Sequence, residues 1–416
     1  MELTDEEKEY YIEQAKTISI EALRCVLIFF AGAIIIVFVG LLFRFLRLIF
    51  GSKVKPSAKK VIVITSATTG IGLELAKRFY KKGFSVVATY HNSREPGYAE
   101  LEDIIKEQGV REQAGQDEPK MFLIYMDVRS EQSIDAAANK IEGFIKKSQL
   151  ELYSVVCNAS VCLDCPFELV QRDSVNKTMQ TNVVGTVMVA KRFILPITKS
   201  KGRIVVVSNT SHSLYEPIMP IYAATKGAVK SFSDCLNENL KPYGASCRCV
   251  VTGNLLSKRN MMGTATTLQE SITKLSSEER DQYKGNIEET YLVVGEHLKM
   301  KVNQGEEDST RPAEVFSIEL PERKEDANFA QRVRVWLSAL FRNSHEGPKN
   351  EPEDVEEKVS VSAFDYAVMS KNPPRRCYCG SVFFQYISGP FVHEYMPQAF
   401  MPVIYFFVGH PIRRKF

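Results

Sequence analysis

The apolar residues between Val61 and Val251 form short runs that alternate with segments of helical periodicity. The runs predict strands at 61–65, 84–90, 121–126, 153–157, 203–208 and 246–251. The periodic segments predict helices at 70–82, 98–108, 131–147, 181–197 and 222–240. Strands that are apolar on both faces and separated by helices are typical of a parallel sheet covered on both sides. The order of elements therefore predicts an α/β, doubly wound parallel sheet, with ligands at the carboxyl ends of the strands.

The N-terminal region carries a second pattern, an uncharged apolar run from Cys25 to Phe43. A helix of this length spans about 28 Å, which is close to the hydrocarbon thickness of a bilayer. The run is too long for a cleaved signal peptide, and an acidic segment precedes it. The sequence therefore predicts one N-terminal transmembrane helix at 25–43.

The charges beside this helix predict its orientation. Residues 1–24 hold seven acids against three basic residues, whereas 44–60 hold six basic residues and no acid. The basic side is expected to stay in the cytosol. We therefore expect a short acidic luminal segment at 1–24 and a basic linker at 44–60. The predicted location is a single-pass position in the endoplasmic reticulum membrane, with the main domain in the cytosol.

Composition divides the rest of the chain into three parts, of which the main domain is predicted at 61–300. Residues 301–360 are rich in Glu, Lys, Asn and Pro, which predicts a charged mobile insertion. The segment 361–416 is apolar and aromatic, but its longest charge-free piece, 399–409, is too short to span a bilayer. We expect 361–416 to pack on the domain or on the membrane surface.

The overall composition excludes several classes of protein. A chain of 416 residues with 44% hydrophobic content can bury a full core. The net charge of +3 gives no reason to expect a nucleic-acid partner. The nine Cys are an odd number without a secretory framework, which indicates a reducing compartment. Their spacings match no recognised zinc knuckle, so no metal is expected.

The turn after the first predicted strand carries the first chemical motif, Thr65-Ser-Ala-Thr-Thr-Gly70-Ile-Gly72. Glycines in such a turn let backbone amides approach a pyrophosphate, which lies at the helix N-terminus. The motif predicts a dinucleotide site, and an ordinary strand–helix turn is the alternative.

The second motif is Tyr222-Ala-Ala-Thr-Lys226, at the start of the helix that follows the fifth predicted strand. Residues four apart share one helix face. A lysine ammonium beside a phenol favours the phenolate, which can then exchange a proton near neutral pH. The pair predicts proton-transfer chemistry, and a solvated helix face is the alternative.

Over roughly residues 60–255, these motifs in this order resemble the short-chain dehydrogenase/reductase superfamily. The further matching motifs are Met126-Asp127-Val128, Val156-Cys157-Asn158-Ala159-Ser160 and Thr181-Asn182-Val183-Val184-Gly185. The resemblance implies a Rossmann-type fold. Within the superfamily, the chain is more similar to the branch of D-beta-hydroxybutyrate dehydrogenase, the retinol dehydrogenases and related hydroxysteroid dehydrogenases. That likeness is carried by Ser231–Leu236, Gly253-Asn254, Leu275–Tyr283 and, weakly, the tail after Pro373.

The resemblance implies roles for individual residues. Tyr222 would exchange a proton with the substrate oxygen, Lys226 would hold the nicotinamide ribose, and Asn182 would anchor a water that relays the proton. Asn209 stands at the family's substrate-orienting position. The implied cofactor contacts, besides Tyr222 and Lys226, are Thr65, Ser66, Thr69, Gly70, Ile71, Gly72, Asp127, Val128, Asn158 and Ala159.

Four positions depart from the family pattern. Ser66 replaces the first glycine of the turn, at a cost of about 1 kcal/mol or more if that position needs a positive φ. Ser160 replaces a glycine and Thr252 a proline. Asn209 replaces the serine that the family places 13 residues before the tyrosine. An amide can still donate a hydrogen bond, although the loss of one positioned donor can cost about 100-fold in rate.

The cofactor is expected to be NAD or NADP. An acid at the end of the second strand would select NAD, but the segment 88–94 contains none. His91 and Arg94 could meet a 2′-phosphate, which favours NADP, and the alternative is that both are solvent-exposed loop residues.

Two functions are consistent with the sequence. The first is a membrane-anchored NAD(P)-dependent oxidoreductase that interconverts a lipophilic primary or secondary alcohol and its carbonyl, with a steroid, retinoid or related lipid as substrate. The second is a catalytically impaired homologue that acts as a binding or scaffold protein. The expected partners are a lipophilic small molecule and membrane lipid, and a homodimer is a further option.

Overall fold

The computed structural model describes residues 52–113, 119–163, 165, 167–212, 219–253, 270–283 and 363–379. The predicted transmembrane helix at 25–43, the insertion at 301–360, Asn254 and the tail from 380 lie outside these residues. No helix among the described residues is long and apolar enough to cross a membrane.

The described strands form one parallel sheet. They are β1 (Lys60–Ile64), β2 (Ser85–Tyr90), β3 (Met121–Tyr125), β4 (Glu151–Cys157), β5 (Arg203–Asn209), β6 (Ser246–Thr252) and β7 (Arg376–Tyr378). Their order across the sheet is β3-β2-β1-β4-β5-β6-β7, and every neighbouring pair is parallel. The strand order reverses between β1 and β4, which opens a crevice at the carboxyl ends of the strands. The prediction of a doubly wound, Rossmann-type sheet is confirmed.

Helices connect these strands. They are α1 (Gly70–Lys81), α2 (Pro96–Gln113), α3 (Glu131–Lys147), α4 (Arg172–Met179), α5 (Thr186–Lys199) and α6 (Pro220–Leu240). A π-helical stretch, Gln180–Gly185, joins α4 to α5. The helix predicted at 181–197 therefore begins earlier, at Arg172. Its first two turns are mostly polar, so they show no apolar period in the sequence.

The core consists of two apolar layers, one on each face of the sheet. Val61 and Val63 face one layer, and Ile62 and Ile64 face the other, because successive strand side chains alternate. Helices α3, α5 and α6 cover the first layer. Helices α1 and α2 cover the second, together with a short helix at 363–369.

The chain from this short helix to β7 is held to the sheet by buried polar groups. The Arg203 guanidinium donates 2.8 Å hydrogen bonds to the carbonyls of Ala367 and Ser370. The Tyr153 hydroxyl donates a 2.7 Å hydrogen bond to the carbonyl of Val368. Strand β7 has only three residues and was not predicted, because so short a run carries no periodicity.

Candidate active site

The turn after β1 holds a residue in the left-handed region. Ser66 has φ 53°, where an L side chain costs about 1 kcal/mol or more. The Asn158 amide donates 3.1 Å hydrogen bonds to the carbonyls of both Thr65 and Ser66. The position does adopt a positive φ, so the condition under which Ser66 is strained is met, and Asn158 holds this backbone in place.

Thr65 joins the ends of β1 and β4. Its Oγ1 accepts 2.9 Å hydrogen bonds from the backbone N–H groups of Asn158 and Ala159. The backbone N–H of Thr65 donates a 3.0 Å hydrogen bond to the carbonyl of Val156. These bonds fix the two strand ends that flank the crevice.

The start of α1 forms a cradle of backbone N–H groups in which Gly70 and Gly72 carry no side chain. Gly70 has φ 50°, and a Cβ added to Gly72 would lie 2.2 Å from the Ser66 carbonyl oxygen. Thr69 stands at the N-cap and makes no side-chain cap hydrogen bond, while Ile71 packs partly buried against the core. The first N–H groups of a helix are unpaired within the helix and favour an anion. The cradle therefore fits the pyrophosphate of a dinucleotide.

Asp127 follows β3 and is paired with Arg129, a cation that no motif of the sequence predicts. Arg129 donates to both carboxylate oxygens, at 3.0 Å from Nε and 2.8 Å from Nη2. These hydrogen bonds hold the pKa of Asp127 below its usual range. His91 Nδ1 lies 3.8 Å from the same carboxylate. Val128, the next residue, is buried and lies against Gly185. This contact joins the chain after β3 to the π-helical stretch.

Asn182 lies in the π-helical stretch and is buried. Its Oδ1 accepts a 2.8 Å hydrogen bond from the backbone N–H of Val161, and its Nδ2 donates to the Val161 carbonyl at 2.9 Å. Nδ2 also donates to Thr225 Oγ1 at 3.1 Å. The side chain therefore ties the segment after β4 to α6. A role for Asn182 in holding a relay water stays a prediction.

Tyr222 and Lys226 lie together on one face of α6, as their spacing predicts. Lys226 Nζ is 5.3 Å from the centre of the Tyr222 ring and donates a 3.2 Å hydrogen bond to the Val207 carbonyl. Lys226 is only 3% exposed, and this burial lowers its pKa to about 8. A buried ammonium beside a phenol is an arrangement that can stabilise a phenolate.

Asn209, at the end of β5, is bonded to the neighbouring strand. Its Nδ2 donates a 2.6 Å hydrogen bond to the Gly253 carbonyl and a 3.3 Å bond to Thr252 Oγ1. Its Oδ1 accepts a 2.8 Å bond from the backbone N–H of Ser211. Both amide hydrogens of Asn209 are thus engaged within the protein. The sequence could not indicate this, since the partners lie more than 40 residues away.

Comparison with known proteins identifies the family. The model of the short chain dehydrogenase family matches residues 60–267. The chain belongs to this family. The motifs quoted from the sequence therefore mark a short-chain dehydrogenase, and the predicted membership is confirmed.

Several curated proteins are similar to this short-chain dehydrogenase. Mitochondrial D-beta-hydroxybutyrate dehydrogenase of Bos taurus is 26% identical over 235 residues, which cover 56% of this chain and 64% of the relative. Estradiol 17-beta-dehydrogenase 2 of Mus musculus is 31% identical over 237 residues, 57% of each chain. The matched part thus spans less than two thirds of the length of these relatives. The relatives belong to the branch that the sequence motifs resemble.

A solved structure was also found. Gluconate 5-dehydrogenase from Burkholderia cenocepacia, determined with NADP and tartrate, aligns with a TM-score of 0.42 and 22% identity. The alignment covers 51% of this chain and 79% of that chain.

A small apolar cluster includes the residue before Tyr222. Ile221, the residue before Tyr222, packs in a small cluster separate from the two core layers. The other members are Leu163, Cys165, Leu169, Val170, Ile272, Leu275 and Tyr283. The sequence singled out part of 275–283 only through family resemblance, because the cluster joins segments that are distant along the chain. The cluster therefore lies beside Tyr222 along α6, through Ile221.

Proposed function

We propose that this short-chain dehydrogenase is an NAD(P)-dependent oxidoreductase that interconverts a lipophilic alcohol and its carbonyl compound. The observation that carries the proposal is the Tyr222–Lys226 pair, with Lys226 Nζ buried 5.3 Å from the Tyr222 ring at the carboxyl edge of the sheet. A bound nicotinamide supplies or accepts the hydride in such a reaction.

The protein's own residues would divide the remaining work. The amides at the start of α1, beside Ser66 and Gly72, would hold the pyrophosphate. Asp127 would contact the adenine end. Tyr222 would donate the proton to a carbonyl oxygen or accept it from an alcohol, and the Lys226 ammonium would stabilise its phenolate form.

For the cofactor we propose NADP in preference to NAD. Strand β2 ends at Tyr90 without an acid, and the Arg129 guanidinium lies beside Asp127 with its Nη2 3.4 Å from His91 Nε2. A guanidinium is suited to bind a 2′-phosphate.

The lipophilic substrate class is supported by the apolar cluster in which Ile221, the neighbour of Tyr222 in the chain, packs with Ile272 and Leu275. The uncharged run at 25–43 supports a position close to membrane lipid. A steroid or retinoid partitions into such a membrane. We further propose that the protein is a single-pass protein of the endoplasmic reticulum with its short-chain dehydrogenase domain in the cytosol.

A second function, a catalytically impaired homologue that binds a dinucleotide or lipid, is favoured by one observation. Both amide hydrogens of Asn209 are bonded to Thr252 and Gly253, so this side chain offers none to a substrate oxygen. The two proposals differ in turnover and share the dinucleotide site.

Calorimetric titration of the full-length protein with NADPH and NADH tests the shared part of both proposals. We expect saturable binding, tighter for NADPH. Binding together with turnover of a lipid alcohol or ketone supports the oxidoreductase, and binding without turnover of any substrate supports the second function. A folded protein that binds neither dinucleotide contradicts the oxidoreductase proposal.

A further inference from the structure

Two of the positions that depart from the family pattern are bonded to each other. Asn209 and Thr252 are the last register pair of β5 and β6. Asn209 Nδ2 lies 3.3 Å from Thr252 Oγ1, and the Thr252 hydroxyl donates a 3.1 Å hydrogen bond to the carbonyl of Ser208. A proline at position 252 would have no hydroxyl for either bond. The two departures therefore form one hydrogen-bonded unit.

This unit extends the contact between the two strands beyond their backbone pairing. The Asn209 side chain donates a 2.6 Å hydrogen bond to the carbonyl of Gly253, the first residue after β6. It also accepts a hydrogen bond from the backbone N–H of Ser211, after β5. Asn209 is 3% exposed and Thr252 is 5% exposed. Buried polar groups of this kind are costly to leave unpaired, so each bond fixes the chain it reaches.

The unit lies on the side of the crevice where the reacting end of a dinucleotide would be. The pyrophosphate cradle is at the β1–α1 turn, and the predicted proton donor Tyr222 is on α6. Lys226, one turn from Tyr222, is bonded to Val207, two residues before Asn209 on β5. In doubly wound sheets the ligand lies outside the carboxyl ends of the strands, which here include the ends of β5 and β6.

We propose that Asn209 and Thr252 act together as a clasp that holds the chain leaving β6 at Gly253 in the position that the nicotinamide end of the cofactor requires. Asn209 is then a positioning residue, and it does not contact the substrate oxygen. This inference rests on the proposed function, because it assigns the clasp to the dinucleotide site.

The test is a double-mutant cycle on dinucleotide affinity with the full-length protein. Asn209→Asp keeps the acceptor for Ser211 and removes both donors, and Thr252→Val removes the hydroxyl at nearly constant volume. Each single variant is expected to weaken the affinity for NADPH roughly 10-fold, and the double variant by roughly the same 10-fold, because the Thr252 hydroxyl orients the Asn209 amide toward Gly253 and both changes therefore act through the same bond. Thr252→Ser restores the hydroxyl and is expected to bind like the wild type.

Thr89→Val is the matched control, since the Thr89 hydroxyl is also buried near a strand end but has no hydrogen-bond partner among the described residues. It should leave the affinity unchanged. Because an aspartate at a buried position can prevent folding, the comparison of Thr252→Val with Thr252→Ser gives the same test with Asn209 intact.

Several results would overturn the inference. The clasp would be overturned if the double variant lost NADPH affinity by the product of the two single-variant losses. It would also be overturned if both single variants kept the wild-type NADPH affinity. Both outcomes leave the proposed function intact. A fall in kcat at unchanged dinucleotide affinity in Asn209→Asp would instead show that Asn209 acts on the substrate. If the folded wild type binds neither NADPH nor NADH, the proposed function fails and the clasp fails with it.

Discussion

Lys226 Nζ lies 5.3 Å from the centre of the Tyr222 ring and donates a 3.2 Å hydrogen bond to the Val207 carbonyl, with only 3% of Lys226 exposed. Burial disfavours the charged form of Lys226. The neighbouring Tyr222 phenol is a group whose ionised form that charge can stabilise. The same lysine therefore reduces the stability of the fold and, under the proposed function, stabilises the Tyr222 phenolate.

The cost of burying Lys226 should appear in the pH dependence of stability. Burial lowers its pKa from 10.5 to about 8, so between these values the unfolded chain binds more protons than the folded one. The free energy of unfolding should then rise as the pH increases from 8 to 10.5, by up to about 3 kcal/mol. Lys226→Met should lack this rise. Chemical denaturation of both proteins across this pH range measures the difference, and identical pH profiles would contradict the assigned burial cost.

Gly72 is the position where the dinucleotide cradle tolerates no side chain. A Cβ there would lie 2.2 Å from the Ser66 carbonyl oxygen and 2.7 Å from Asn158 Nδ2, so Gly72→Ala must shift backbone. We expect a loss of about 1–3 kcal/mol in unfolding free energy together with loss of NADPH binding. Gly143→Ala, in α3 where the added Cβ meets nothing within 4 Å among the described residues beyond its own stretch of helix, is the control and should stabilise by up to about 1 kcal/mol. Equal stabilities of the two variants would refute the close approach.

Arg129 is predicted to set the preference between the two dinucleotides. Arg129→Gln removes the cation beside Asp127 and should reduce the ratio of NADPH to NADH affinity roughly 10-fold, mainly through weaker NADPH binding. Arg192→Gln, on α5 with its ion pairs to Asp135 and Glu142, is the matched control. Calorimetric titration with each dinucleotide gives the ratio. A ratio that does not change in Arg129→Gln would remove the basis for proposing NADP.

The hydrogen bonds of Arg203 should contribute strongly to stability, because they hold the segment from the short helix to β7 on the sheet. Arg203→Met leaves the carbonyls of Ala367 and Ser370 without this buried donor, which should cost about 3 kcal/mol of unfolding free energy. Arg192→Met breaks surface ion pairs instead and should cost about 1 kcal/mol or less. Urea denaturation compares the two, and similar losses would show that the Arg203 contacts are not important for stability.

The sheet and the pairing of Tyr222 with Lys226 on one helix face could be predicted because their signals are local. The two-sided apolar run at Val61–Ile64 indicates a buried parallel strand, and the four-residue spacing of Tyr222 and Lys226 places them on one helix face.

The features that the sequence did not predict depend on contacts between distant segments or on very short elements. The amide of Asn209 is bonded to Thr252 and Gly253 on another strand, and no local pattern reports such a bond. The three residues of β7 are too few for a period. The polar start of α4 at Arg172 lacks the apolar repeat that marks a helix, so the helix forms there because of tertiary packing.

The central claim, that Tyr222 transfers the proton in an NAD(P)-dependent reaction, is tested most directly by one comparison. Wild type, Tyr222→Phe and the exposed control Tyr243→Phe are reconstituted in membranes and assayed for nicotinamide-coupled turnover across lipid alcohols and ketones. Tyr222→Phe should lose roughly 100-fold or more in kcat while it still binds NADPH, and Tyr243→Phe should match the wild type. Equal rates for Tyr222→Phe and the wild type on a turned-over substrate would contradict the account.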